Sequence, residues 1–276
     1  MARQNEISTR RVANEIDVDL IDVSDFACCG FPIKSVDAET SLLLAARNLS
    51  IAEELGLNIC TICSGCTSIL TEANKELKEN DKIRREVNQK LREIGREYHG
   101  SIIVKHFAKI LHNEIGVEKI KNTVTKSLEH LTIASHYGCH YLKPSHIYGK
   151  EEDPEFPRSL DALVALTGAK TIDYEEKMQC CGGNILGVDE NTAFTIASRK
   201  LDHVKTAAAD ALNLVCPLCN IVYERNQRII ERRLDKSYRL PVLFYPQILG
   251  LALGINPEEL GFNMNRISVQ GILSKI

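Results

Sequence analysis

The 276-residue sequence contains no tryptophan, and aromatic residues make up only 5% of it. That scarcity argues against base-stacking surfaces for single-stranded nucleic acid. The net charge is −3, so no bulk electrostatic drive toward nucleic acid exists either. Long apolar runs are missing too. The best candidate, "PVLFYPQILGLALGI" at 241–255, contains prolines and is too short to span a bilayer. The start, "MARQNEISTRR", is polar and lacks the apolar stretch of a secretory signal. These absences lead us to expect a cytoplasmic protein with no membrane span and no nucleic-acid partner. The hydrophobic share of 44% and charged share of 26% are ordinary for a globular chain long enough for one large domain or two smaller ones.

Cysteine is in excess. There are ten, and without an export signal they read as metal-binding or redox-active rather than as a disulfide framework. All ten fall in short motifs: Cys28–Cys29, then Cys60, Cys63 and Cys66, Cys139, Cys180–Cys181, and Cys216 with Cys219. They expose a repeat. "CCG" at 28–30 precedes "CSGC" at 63–66, and "CCG" at 180–182 precedes "CPLC" at 216–219. The step from the second Cys of the pair to the C-x-x-C is 34 residues in one half and 35 in the other. The segments that follow, "TSILTEANKEL" and "NIVYERNQRII", both carry helical spacing. A repeat of this length implies two similar halves, 1–127 and 128–276.

The intervening segments alternate in type. Strands are expected at "VDLIDV" (18–23), "LNICTI" (57–62), "SIIVKHF" (101–107), "HLTIASHYG", "KTIDY", "ALNLV" and "LPVLFY". Helices are expected after Asp37, over 81–97, in "AKILHNEIG", in "PRSLDALVALTG", in "ENTAFTIASRKLDHVKTAAAD" and after the last strand. The helix over 81–97 reads as a solvated insertion with a narrow stripe of Ile83, Val87, Leu91 and Ile94. Such alternation predicts an α/β fold of two Rossmann-like halves with mostly parallel sheets. The cysteines fall in loops after strands, where parallel sheets carry their ligands.

A mononuclear zinc site takes four nitrogen or sulfur ligands, and C-x-x-C pairs suit it. Adjacent cysteines suit it poorly, because neighbouring side chains diverge. The second half also offers five thiols, Cys139, Cys180, Cys181, Cys216 and Cys219, one more than an ordinary cubane cluster uses. The surplus favours iron–sulfur binding over zinc, with redox disulfides a further alternative. The glycines after each pair, Gly30 and Gly182–Gly183, serve either close approach to a cluster or a simple turn.

The doubled CCG pattern resembles the cysteine-rich CCG-domain family. "AARNLSIAEELGLNICTICSGCTSILTEAN" and "SHYGCHYLKPS" are similar to the B subunits of heterodisulfide reductases from methanogenic archaea. The resemblance implies two Rossmann-like halves facing each other and two non-cubane 4Fe–4S clusters, each on five cysteines. It implies reductive cleavage of the coenzyme M–coenzyme B disulfide, one sulfur to each cluster. It implies partners: the iron–sulfur and flavin subunits of heterodisulfide reductase, with a hydrogenase or formate dehydrogenase upstream. A related electron-transfer subunit serving a quinone, a fumarate-linked thiol or an organic acid is the alternative, as is a zinc-stabilised scaffold or one cluster plus zinc.

The second half matches the pattern fully. The first offers only Cys28, Cys29, Cys63 and Cys66, because a fifth ligand spaced as Cys139 is from Cys180 falls before residue 1. Either the natural chain starts further upstream, which we favour, or this cluster has four thiolates or another ligand. Cys60 is surplus and reads as a core cysteine. His140 and Lys143, and more weakly Lys34, are candidates to meet the sulfonate, phosphate and carboxylates of the substrate, against a bland reading as surface residues. His106 and His136 are expected to satisfy local hydrogen bonds.

Overall fold

The computed structural model describes residues 2–149 and 152–276. Helix α1 (Arg3–Glu15) comes first. Beyond the first Cys–Cys loop run α2 (Ala38–Glu54), β1 (Ile59–Thr61), α3 (Ser64–Glu79) and α4 (Asp81–Arg92). Strand β2 (Val104–His106) leads straight into α5 (Phe107–Ile110), a π-helical turn at Leu111–Gly116 and α6 (Val117–Lys121). Then come β3 (Thr132–His136), α7 (Ser159–Ala165), β4 (Lys170–Ile172) and α8 (Glu190–Thr206). β5 (Ala211–Leu214) precedes α9 (Pro217–Asn220), a π turn at Ile221–Arg225 and α10 (Gln227–Leu234). β6 (Val242–Phe244), α11 (Tyr245–Ala252) and α12 (Gln270–Leu273) complete the order.

Every strand pair is parallel, in a two-stranded sheet β1–β2 and a four-stranded sheet β4–β3–β5–β6. The fold is therefore α/β with parallel sheets, as the alternation predicts. β5 is buried along its whole length, as an inner parallel strand covered on both faces must be.

The repeat is visible in the elements. α2 and α8 are both 17 residues long. Asp37 Oδ1 accepts the Thr40 backbone N–H at 2.9 Å, and Asp189 Oδ1 accepts that of Thr192 at 3.0 Å, so the same N-cap starts both helices. Cys63 and Cys216 stand at the N-caps of the helices after β1 and β5. "VKHFAKIL" and "VLFYPQIL" continue the match through β2 and β6.

Packing groups the chain into two compact units. The larger comprises Met1–Asp19, Ala108–Cys139 and Glu152–Ile276, and the smaller Leu20–Phe107 and His140–Glu151. The repeat divides the sequence near 127, whereas packing does not follow that line, and α1 is one reason. Its polar sequence carries no helix signal, yet it packs on α11 in the larger unit and buries Val12 and Ala13 with Gln4, Asn5, Ser8 and Thr9. In the repeat α1 aligns with α7, and α7 packs on the π turn that follows β2 as α11 follows β6.

The strand expected at 18–23 does not form. In the repeat this segment aligns with β4, which hydrogen-bonds only to β3. The described residues of the smaller unit contain no counterpart of β3, so the segment has no ladder partner. The helix expected over 81–97 ends at Arg92. Val87 and Leu91 are buried and Ile83 packs against the core of that unit, but Ile94 lies past the helix end and is exposed.

Candidate metal centre

In the smaller unit, two devices shape the first Cys–Cys loop. Gly30 turns the chain at φ +93°, and the Ser41 hydroxyl donates to its carbonyl at 3.1 Å. Asn48, buried on α2, clamps the loop: its Oδ1 accepts the Ala27 N–H at 3.0 Å, and its Nδ2 donates to the carbonyls of Ala27 at 3.1 Å and Cys28 at 3.3 Å. The loop brings Cys29 Sγ to 3.3 Å from Cys66 Sγ, while Cys63 also bonds Cys66 and Cys28 lies exposed beside Cys29. Cys29, Cys63 and Cys66 thus converge. The bond from Cys66 holds the Cys29 thiol down at about 6, and the same contacts push Cys66 upward. Cys60 is half-buried in the middle of β1, between Ile59 and Thr61, rather than in the core.

The larger unit gathers all five of its cysteines. Cys139 follows β3, the 180–181 pair lies between β4 and α8, and Cys216 and Cys219 start α9. Cys181 and Cys219 are 3.5 Å apart; Cys180 bonds both Cys139 and Cys181, and Cys219 bonds Cys216. Backbone N–H groups of Gly182 and Gly183 donate to Cys180 Sγ at 3.4 Å and Cys181 Sγ at 3.3 Å. Cys139 and then Cys181 hold Cys180 down to about 2, while Cys181 is pushed up to about 12 by Cys180, and its neighbours and burial push Cys219 well up. Thiols this crowded share protons, and a metal that takes thiolates replaces those protons.

The surroundings fit such a group. A Cβ at Gly183 would stand 3.2 Å from Cys181 Sγ, and one at Gly138 3.6 Å from Cys219 Sγ, so both glycines leave the sulfurs open space. Asn220, the Tyr223 hydroxyl and Asn213 Oδ1 are buried without a protein partner. Buried polar atoms are normally satisfied, and two of these three side chains lie in α9 or the π turn directly after it.

His136 belongs to this site, which corrects the expectation of a merely local role. Its Nε2 lies 3.3 Å from Cys219 Sγ, and His136, Cys181 and Cys219 bring their ligand atoms within 4.8 Å of one another. Its Nδ1 faces Lys200 Nζ at 3.2 Å, and the Tyr223 ring packs edge-on at 5.0 Å. The signal was its position at the end of β3, three residues before Cys139.

The substrate candidates are placed less tellingly. His140 stands edge-on to Phe31 at 4.8 Å, with Nδ1 3.3 Å from Ser68 Oγ, close to the first Cys–Cys loop. Lys143 is exposed. Lys34 is engaged by Glu72 in a surface ion pair. His106 is buried and edge-on to Tyr141 at 5.3 Å. Among the described residues no helix is long and apolar enough to cross a membrane.

Fold and thiol sites together define a duplicated, cysteine-rich α/β protein whose gathered thiols are of the kind that soft metals take as ligands. The chain belongs to the cysteine-rich (CCG) domain family, whose profile matches residues 1–71 and 133–222. It is 39% identical to the B subunit of the ferredoxin/F420H2-dependent CoB–CoM heterodisulfide reductase of Methanosarcina acetivorans, over 98% of this chain and 91% of that protein. It is 36% identical to the B subunit of the ferredoxin:CoB–CoM heterodisulfide reductase of Methanosarcina mazei over the same shares. It is also 32% identical to the 8-methylmenaquinol:fumarate reductase membrane anchor subunit of Wolinella succinogenes, over 96% of this chain and 92% of that one. A crystal structure of a hypothetical protein from Helicobacter pylori shares the fold, with a TM-score of 0.81 and 17% identity, over 98% of this chain and 50% of that one.

Proposed function

We propose that this chain is the iron–sulfur subunit of a heterodisulfide reductase and reductively cleaves the coenzyme M–coenzyme B disulfide. The observation that carries the reading is the gathering of five thiols, Cys139, Cys180, Cys181, Cys216 and Cys219, in one unit. A mononuclear zinc takes four ligands, so the fifth points to a polynuclear cluster. Cys28, Cys29, Cys63 and Cys66 would hold the second cluster. The nearly full-length likeness to the B subunits of two reductases supports the substrate assignment.

Bound clusters would supply one-electron steps, and two of them match the two electrons, taken with two protons, that convert a disulfide to two thiols. The chain's own residues do the rest. The buried Cys181, Cys216 and Cys219 keep water from the sulfurs of their centre. His140 and Lys143 bring polar and positive groups for the sulfonate, phosphate and carboxylates of the substrate. The electrons come from the reductase's second iron–sulfur subunit and its flavin subunit, with hydrogenase or formate dehydrogenase upstream, in the cytoplasm.

A second reading has its own support. The likeness to the menaquinol:fumarate reductase subunit favours an electron-transfer role toward a quinone pool. Iron and sulfide in equal amounts, about four of each per occupied centre, with turnover of the coenzyme disulfide by reduced viologen, supports the reductase. An iron-loaded complex that leaves the disulfide untouched supports the second reading. Zinc in place of iron sinks both.

A further inference from the structure

Lys200, on α8, is completely buried at 0% exposure. No carboxylate among the described residues forms an ion pair with it. Its Nζ lies 2.8 Å from the Lys177 carbonyl, 3.2 Å from His136 Nδ1 and 5.6 Å from the centre of the Tyr174 ring. With Lys200 charged its ammonium only donates, so Nδ1 then accepts and the ring proton sits on Nε2. That Nε2 faces Cys219 Sγ at 3.3 Å. Donors therefore run in one direction, from Lys200 through His136 to sulfur.

A buried cation needs a compensating anion. Burial pushes the Lys200 ammonium down to about 7, and the charges that oppose this most are Cys219, Cys181 and Cys180, ahead of Glu176, so it is the sulfur anions that hold the cation there. The repeat shows that the arrangement is not general to the fold. Lys200 stands eleven residues after Asp189, and the residue eleven after Asp37 is Asn48. Asn48 is neutral, and its amide bonds the Ala27 and Cys28 backbone. His136 lies on β3, which has no counterpart among the described residues of the smaller unit.

We infer that Lys200, relayed through His136, is a buried countercharge that raises the reduction potential of the centre at Cys139, Cys180, Cys181, Cys216 and Cys219 above that of the centre at Cys28, Cys29, Cys63 and Cys66. The inference rests on the iron–sulfur reading above. A thiolate-ligated cluster is a net anion, and each added electron makes it more negative. A fixed cation in a low-dielectric site stabilises the reduced form more than the oxidised one, and hydrogen bonds to cluster sulfurs act in the same sense. The step is one electron from an external donor such as a reduced viologen, which is oxidised as the cluster is reduced, and no bond is made or broken. The first electron then rests at the Lys200 centre. Lys200 is a positioning residue that touches no substrate.

The test is an EPR-monitored potentiometric titration of the iron-loaded complex carrying wild-type, Lys200→Met, Lys200→Gln or Lys200→Arg chains, with the signals assigned by the one lost in Cys216→Ala. The neutral variants should lower the equilibrium constant for one-electron reduction at the larger unit's centre at least about tenfold, about 59 mV downward. The other centre should not move, and Arg should restore the wild-type value. Gln keeps a donor for His136 without the charge, so it carries the test if Met loses iron. Iron lost from that centre in Met and Gln but kept in Arg also supports the inference. Unchanged potentials in the neutral variants overturn it, as does Arg failing alongside them. A wild-type complex without iron–sulfur signals overturns the iron–sulfur reading itself.

Discussion

Gly30→Ala should cost much more than Gly56→Ala, although both glycines lie in the smaller unit and both have positive φ. Gly56 sits at φ +66° with nothing within 4 Å of an added Cβ. Its substitution meets backbone strain alone, roughly 1–2 kcal/mol for a left-handed L-residue, less the roughly 0.4–1 kcal/mol returned by a stiffer unfolded chain. Gly30 sits at φ +93°, and its added Cβ would stand 2.7 Å from the Ser41 carbonyl oxygen and 2.9 Å from Ser41 Cα. Those are backbone atoms in the first turn of α2, so relief requires moving the helix. Overpacking of this kind costs about 1–3 kcal/mol more. At about 2–4 °C per kcal/mol, the melting temperatures of the two variants should separate by at least about 2 °C, with Gly30→Ala the lower. It should also lose iron from the Cys29–Cys63–Cys66 centre, because Ser41 and Asn48 on the displaced helix both hold the Cys–Cys loop. Calorimetry and iron analysis of the two proteins side by side check this. Equal melting temperatures would show that the contact with Ser41 does not constrain the loop.

Cys180→Ala should abolish cleavage of the coenzyme disulfide while the chain stays folded, because Cys180 is exposed and supports no core; wild-type turnover in that variant would refute its assignment. Asn48→Ala should cost about 1–3 kcal/mol for backbone groups left unpaired and deplete iron from the smaller unit only, read by the EPR signal that persists. Glu53 is pushed up by burial, but bonds from the Ser101 and His99 N–H groups and the Ser101 hydroxyl win and hold its carboxyl below the usual range. Its folded value is thus the lower one, so its contribution is complete above the unfolded value of about 4.3 and lost as pH falls through the folded value. The stability gap between wild type and Glu53→Gln should therefore shrink on acidification, and a gap that widens in acid would contradict the assignment.

What the sequence disclosed and what it hid differ by the range of the interactions involved. The Asp37 cap and the C-x-x-C turns are set within a few residues, and the cysteine spacing alone exposes the duplication. The segment at 18–23 has a strand's composition and still forms none, because a strand exists only with a ladder partner and that partner is not a property of the segment. α1 is the converse. Its polar sequence carries too narrow an apolar stripe to signal a helix, and its face is decided by α11, far away in sequence. The site divides along the same line. Its thiols are legible because chemistry restricts which residues can bind soft metal and the motif places them. Lys200 and His136 are 64 residues apart, and a lysine in a helix reads by default as solvent-facing. Only the fold shows that lysine buried, aimed at an imidazole and backed by sulfur. The repeat that found the cysteines could have raised the question, since a lysine in one half stands where the other half has an asparagine. Pairing the halves residue by residue, and not only cysteine by cysteine, is how a duplicated sequence can reveal that its two sites are chemically unequal.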